Sequence, residues 1–429
     1  MDDPSASPTN AAVPAFAALG FGEFRMLVLA TFLLHLGLLS QEVALAYNLY
    51  LLTHDPLTLG LIGLAEAVPF LSLALFGGHL ADRREKRSLM LLSLVLVASA
   101  SLCLYWLALP ATRAQLSQNA LLLSVYAVIG LIGVARVFYS PAASSLKAFL
   151  VPRALYGNAA TWSSAGWQSA AVLGPVFGGL LYSAVGLADT LLVTTVLVAL
   201  ALFCTLGIRP RGVPAASNNG EALWASLKEG IDFVRGSPII FYAIALDLFS
   251  VLFGGVVAIL PVFAADVLHI GAQGLGLLRA APSVGALLTL LVCAWFPPTG
   301  QAWRNLLLTI AGFGVATLVF AVSKNVWLSA VALFATGAFD SVSVIIRSTI
   351  LQVLPPDHLR GRVQSVNSVF ISSSNELGAF ESGVAARVLG AVPSVIFGGA
   401  MTLAIVGGVW ARSKQLFRVR LLYNAGTQE

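Results

Sequence analysis

Apolar runs separated by short polar breaks fill almost the whole chain, at 24–52, 59–78, 88–109, 119–146, 157–183, 188–207, 237–265, 272–296, 305–321, 326–353, 362–389 and 391–411. A helix needs about 20 residues to cross the hydrocarbon core of a bilayer. Several of these spans are longer, which permits tilt or extension beyond the membrane. None shows the ten-residue alternation of a membrane β-barrel strand. The pattern predicts an all-α polytopic membrane protein of about twelve transmembrane helices. Pro69, Pro141, Pro175, Pro261 and Pro282 fall inside spans, as membrane helices tolerate when neighbours satisfy the freed carbonyls.

The polar breaks carry the organisation. Residues 78–87, Gly-His-Leu-Ala-Asp-Arg-Arg-Glu-Lys-Arg, place a burst of charge between spans 2 and 3. A transmembrane helix cannot carry Asp82, Arg83, Arg84, Glu85, Lys86 and Arg87 through lipid, so a short basic loop is expected there. Lys and Arg gather in alternate connections, from this loop to Arg418 and Arg420, whereas the opposite set holds only Arg113 and Lys324. The positive-inside rule then puts both termini in the cytoplasm. The one long polar connection, 208–236, contains a stretch with Leu223, Leu227, Ile231, Phe233 and Val234 at near-helical spacing, read as an amphipathic surface helix. The expected organisation is a cytoplasmic tail (1–23), a six-helix half (24–207), the linker (208–236), a second six-helix half (237–411) and a C-terminal tail (412–429). The halves echo each other: Gly63-Leu64-Ala65-Glu66-Ala67-Val68-Pro69 in span 2 matches Gly276-Leu277-Leu278-Arg279-Ala280-Ala281-Pro282 in span 8. Two repeated halves imply alternating access with substrate held between them.

Composition narrows the class. The 429 residues are 58% hydrophobic and 10% charged, against roughly 25% charged in a soluble domain. The net charge of +5 is spread over helix ends and makes no nucleic-acid face. Cys103, Cys204 and Cys293 lie far apart inside apolar spans, without metal or disulfide spacing. The N-terminus lacks the basic start of a secretion signal. No phosphate-binding Gly-x-x-x-x-Gly-Lys-Ser/Thr motif occurs, so no ATP drive is expected. The chain has five histidines, of which only His35 is deep in a span; no metal or other cofactor and no membrane-embedded enzyme is expected.

The charged loop resembles the signature of the major facilitator superfamily between helices 2 and 3, matching at Gly78, Asp82, Arg83, Lys86 and Arg87, with Glu85 where a glycine is usual. In that family the loop latches the cytoplasmic side, its Asp facing the start of helix 11, here Arg360-Gly361-Arg362. The corresponding loop of the second half, 297–305, keeps only Arg304, so the latch is expected to be asymmetric. Gly174-Pro175-Val176-Phe177-Gly178-Gly179 in span 5 resembles the end of the motif of proton-coupled antiporters in the same superfamily. The stretches 59–69, 247–261, 274–282 and 339–347 are similar to the branch containing bacterial enterobactin (siderophore) exporters and putative secretion effectors.

Ionisable groups at membrane depth are costly and mark function or pairing. Here they include Glu42, Glu66, Arg136, Asp247, Arg279, Asp340, Arg347, Glu376 and Glu381. Asp247, Asp340, Glu42 and Glu376 are the candidates for carrying protons, since a carboxyl withdrawn from water can bind and release them near neutrality. Arg136 and Arg347, with Trp162, Trp167, Gln168, Tyr47 and Asn48, are the candidate cavity residues, suited to a large semi-polar ligand. Both arginines can equally neutralise an acid within their own half. Glu66 and Arg279, at equivalent repeat positions with opposite charge, are the expected outer gate pair.

The resemblance implies a monomeric carrier in the plasma (inner) membrane, its partners an amphiphilic small molecule such as a siderophore or drug, protons and the lipid bilayer. Proton-coupled export is the expected reaction. A proton symporter for uptake and a lysophospholipid flippase are the alternatives within the same fold.

Overall fold

The computed structural model describes residues 14–210, 223–298 and 300–418; for 74–79, 81–83, 223–227 and Ser372 it describes the backbone path only. The chain is helical throughout these segments. Helices α1 (Gly22–Thr53), α2 (Pro56–Arg83), α3 (Lys86–Ala108) and α4 (Gln118–Leu150) correspond to spans 1–4. Spans 5 and 6 make up the 51-residue stretch α5 (Tyr156–Leu206), two helical arms that meet at Gly186 (φ 80°, ψ −176°). Only glycine adopts that backbone without steric cost, so no loop is needed to turn the chain there. The linker supplies α6 (Leu223–Gly236). Helices α7 (Pro238–Gly254), α8 (Gly271–Trp295), α9 (Ala302–Val322), α10 (Val326–Val353), α11 (Asp357–Leu389) and α12 (Ala391–Arg412) complete the second half.

Among the described residues, ten helices are long and apolar enough to cross a membrane. Counting both arms of α5, and α11 with its polar run Ser373-Ser374-Asn375-Glu376, gives the twelve crossings read from the sequence.

Polar caps sit where the chain turns. Asp55 accepts from the Leu57 N–H, Ser117 from Ala120, and Asn325 from Trp327 and Leu328. Each satisfies a donor the helix start leaves open. Glu85, the departure from the family loop pattern, does the same for α3 by accepting from the Ser88 N–H. The break between α2 and α3 is shorter than the sequence implies. Helix α2 runs on to Arg83, leaving only Arg84 and Glu85 between the helices. A helix that has left the lipid has no reason to end, so its charged last turn satisfies its own backbone.

The side carrying the described ends of the chain is here the terminus side, and the opposite one the far side. Exposed aromatic residues mark both boundaries, Trp295 and Phe296 on the terminus side and Trp327 (80% exposed) on the far side. Four buried apolar clusters hold the helices together. One lies within the first half toward the terminus side, around Phe24, Met90 and Leu146, and another toward the far side, around Leu104, Ile129 and Leu191. A third belongs to the second half on the terminus side, around Ile240, Trp303 and Ile346. The fourth alone draws on both halves, with Val43, Tyr47, Tyr50 and Leu59 against Phe263, Leu275 and Phe320. It lies on the far side.

Two seams join the halves, α2 against α11 and α5 against α8. The repeat exchanges α2 with α8 and α5 with α11, so these seams are equivalents on opposite flanks of the molecule.

Candidate functional site

The intramembrane charges collect along these seams. At the α2–α11 seam Arg136, reaching across from α4, forms an ion pair with Glu66 and lies 3.9 Å from Glu376 of the other half. At the α5–α8 seam Arg279 pairs with Glu42 of α1. Glu42 is also within Coulombic range of Arg136 and Glu376. Three carboxylates and two guanidiniums therefore occupy one layer between the halves. The pairs are partly open, with the Arg136 side chain 47% exposed and that of Glu42 40%.

This arrangement corrects the expected outer gate pair. Glu66 and Arg279 are repeat equivalents, but they occupy opposite seams, and each takes a different partner. Arg136 is found level with Glu66 and neutralises it within the first half, one of the two roles the sequence allows. The sequence offered no signal for the Glu42–Arg279 pair, because α1 and α8 are not related by the repeat.

A second arrangement lies wholly inside the second half. Arg347 of α10 pairs with Asp247 of α7, their side chains 6% and 7% exposed. One turn away, toward the middle of the membrane, Ser250 and Ser343 face each other across a small void that also meets Asp340. Asp340 itself is exposed and forms no ion pair among the described residues.

Above the charged layer the far side is closed. Tyr50 donates to Asp266 across the halves, and Arg387 of α11 lies 3.5 Å from Asp55 at the start of α2. Asp266 sits in an irregular stretch. After α7 the chain passes through a 3-10 turn (Val256–Ile259) and a π turn (Phe263–Val267) before α8. Asp266 escapes a sequence reading because an Asp near the end of a span looks like an ordinary solvated residue. Tyr47 and Asn48 belong to this closure: Tyr47 meets Tyr182 edge-on at 5.5 Å, and the Asn48 amide donates to the Tyr182 hydroxyl at 2.9 Å.

The span 5 motif serves both kinds of packing. Gly174 and Gly178 lie against Leu39 and Ser40 of α1 within the half. Gly179 faces α8, where an added Cβ would come within 2.3 Å of the Ala272 carbonyl oxygen. A Cβ added at Gly276 would meet the Pro175 carbonyl in the same way. The two backbones cross so closely that side chains are excluded, the geometry small residues give membrane helices.

Trp162 is a correction. It lies toward the terminus-side end of α5, where its indole N–H donates to the Ala15 carbonyl at 2.9 Å and its ring packs on Phe16. Asn158, one turn earlier, donates to the same carbonyl and accepts from the Ala18 N–H. Trp162 therefore fastens the N-terminal segment. Trp167, about 140° round the helix from it, is 47% exposed, and Gln168 is half-buried.

Of the expected latch, Gly78, Asp82 and Arg83 have side chains outside the described residues. Lys86 is buried and donates to the Arg84 carbonyl, and Arg87 donates to the Leu206 carbonyl at 3.0 Å. Arg362 pairs with Glu229 of α6, so the linker helix is held to the start of α11. Also outside the described residues are 1–13, 211–222 and 419–429, within the expected tails and linker. Among the described residues no group of His, Cys, Asp and Glu is placed to hold a metal ion, and all three cysteines are free.

Comparison with known proteins decides the family. The Major Facilitator Superfamily profile matches residues 27–379. The chain belongs to the major facilitator superfamily. It is 25% identical over 342 residues to the multidrug efflux pump Tap of Mycolicibacterium fortuitum, covering 77% of this chain and 81% of that one. It is 28% identical over 329 residues to the multidrug resistance protein MdtG of Serratia proteamaculans, covering 74% and 75%. Among solved structures, the nucleoside transporter NupG superposes with a TM-score of 0.73 at 13% identity, covering 91% of this chain and all of that one. A POT family transporter in complex with 5-aminolevulinic acid gives 0.71 at 12%, covering 92% and 96%. These likenesses establish the fold. The protein is thus a multi-pass membrane transporter of the major facilitator superfamily and not an enzyme.

Proposed function

We propose that this transporter exports an amphiphilic, drug- or siderophore-like small molecule by alternating access, in exchange for protons, with both termini in the cytoplasm of an inner-membrane monomer. The observation that carries the reading is the layer of three acids and two arginines between the halves, capped by a closed far side. The Glu42–Arg279 pair and the Arg136–Glu376 contact cross the division and must part when the halves rock, which exposes carboxylates to protons and to cargo in alternation, while Glu66–Arg136 stays within the first half. The efflux relatives support the direction, as does the resemblance of span 5 to the antiporter motif.

Glu376 is the strongest proton candidate in the shared layer, because Glu66 already satisfies Arg136 and leaves Glu376 the more distant partner. Glu42, paired with Arg279, follows it. Asp247, enclosed with Arg347, has a structural role first. Arg136, Trp167 and Gln168 remain the cavity candidates, and Asp82 with Arg362 the cytoplasmic latch candidates.

The test is flux in proteoliposomes of purified protein with an imposed pH gradient and a panel of dyes, drugs and siderophores. Movement of a compound against the proton gradient, lost in Glu376→Gln, is the expected result. Movement with the proton gradient would make the protein a symporter, and gradient-independent lysolipid movement a flippase.

A further inference from the structure

The void beside Asp340 has an unusual lining. Its volume is about 10 Å3, room for one occupant the size of a water molecule. Its polar groups are the Asp340 carboxylate and the hydroxyls of Ser250, Thr309 and Ser343, drawn from α7, α9 and α10. Two of those hydroxyls have already committed their protons. Ser250 donates to the Asp247 carbonyl at 3.1 Å, and Thr309 donates to the carbonyls of Asn305 and Leu306 at 2.9 Å. A hydroxyl has one proton and two lone pairs, so both can offer the void only acceptor oxygens. An ionised carboxylate offers nothing else. Phe313 and Phe339 close the apolar walls.

A void lined by these acceptors and one negative charge, with Ser343 its one hydroxyl not committed elsewhere among the described residues, suits a positive occupant. The one arginine on the same face of α10, Arg347, lies two turns away and is already neutralised by Asp247. It neither fills the void nor repels a cation from it. Carboxylate and hydroxyl oxygens are hard ligands and favour hard cations over soft ones. The small volume favours a dehydrated ion no larger than water, and the apolar walls strengthen its attraction to Asp340.

We propose that Asp340, Ser250, Ser343 and Thr309 form a binding site for a small monovalent cation, Na+, within the second half of the transporter. The site goes beyond the export reading and holds whichever cargo the protein carries. Asp340 is exposed, which gives the ion a path in without parting α7 from α10.

The test is equilibrium binding of radiolabelled Na+ to the purified full-length protein in detergent at alkaline pH, with choline as the replacement cation. Wild-type protein should bind one Na+ saturably, with Li+ competing and K+ competing less well. Asp340→Asn should abolish binding, and Ser250→Ala or Thr309→Val should weaken it about tenfold. Glu376→Gln, in the other charged layer, should bind as wild type. Unchanged melting temperature and elution volume establish that each variant is folded; should Asp340→Asn fail this control, Ser343→Ala takes its place, with the same weakening expected. The absence of saturable wild-type binding, or wild-type affinity in folded Asp340→Asn, overturns the site. Because the readout needs no transport, its failure is distinct from failure of the export reading.

Discussion

The two sets of intramembrane charge are built from the same residue types and do opposite things. Asp247–Arg347 is enclosed within one half, its side chains 7% and 6% exposed, and both helices that carry it belong to that half. Glu42–Arg279 and Glu66–Arg136–Glu376 are partly open and span the division between halves. Removing one partner from an enclosed pair strands the other charge, whereas an open pair can trade its partner for water. The enclosed pair is therefore suited to holding a half together, and the open ones to being broken in every cycle.

That contrast can be broken at four points, in falling order of effect. Asp247→Ala should lower the stability of the purified protein by about 3–5 kcal/mol in denaturant or thermal unfolding, because Arg347 is left buried and unpaired. The double variant Asp247→Ala/Arg347→Leu should recover much of the loss; if the single variant is as stable as wild type, the pair is not structural. Gly179→Ala should disfavour far-side closure by about 1–3 kcal/mol, since its methyl meets the Ala272 carbonyl. Labelling of a cysteine placed at Ala272 by a membrane-impermeant maleimide should rise accordingly, while the unfolding midpoint of the halves changes little.

Arg279→Gln should act in the same direction and more weakly, about tenfold in the open-to-closed ratio, or 1.4 kcal/mol. If far-side labelling is unchanged, the Glu42–Arg279 pair does not hold the closure. Trp162→Phe should have the smallest effect, about 0.5–1.5 kcal/mol from one lost hydrogen bond, visible as faster proteolysis between Pro14 and Gly20 with flux unaltered.

The residues that made the fold legible are those the bilayer constrains. Hydrocarbon thickness dictates the length of an apolar run, so even α11 could be counted, although Ser374, Asn375 and Glu376 leave it too polar to stand out. Gly186 is the counter-example: spans 5 and 6 were readable as two crossings, but a lone glycine inside an apolar stretch gives no sign that the chain turns between them on a single residue. The charges themselves were legible, since each is a costly exception to its surroundings. Their pairing was not. Sequence equivalence placed Glu66 with Arg279, whereas contacts follow the packing of α2 on α11 and α5 on α8, which only the assembled bundle reveals. Trp162 misled for a simpler reason, because aromatic character does not say which end of a helix a ligand would reach.

The irregular stretch from Gly255 to Leu268 has a consequence for isotope exchange. Its amides rest on short 3-10 and π hydrogen bonds in place of a continuous α-helical ladder, and the Leu268 N–H reaches back five residues to Phe263. Amides there are protected mainly by the Tyr50–Asp266 contact and the apolar layer beneath it, not by the helix itself. In deuterated solvent, uptake at these amides should therefore track the fraction of time the far side spends open. The stretch would serve as a built-in clock for the transport cycle, read by mass without any label or substitution.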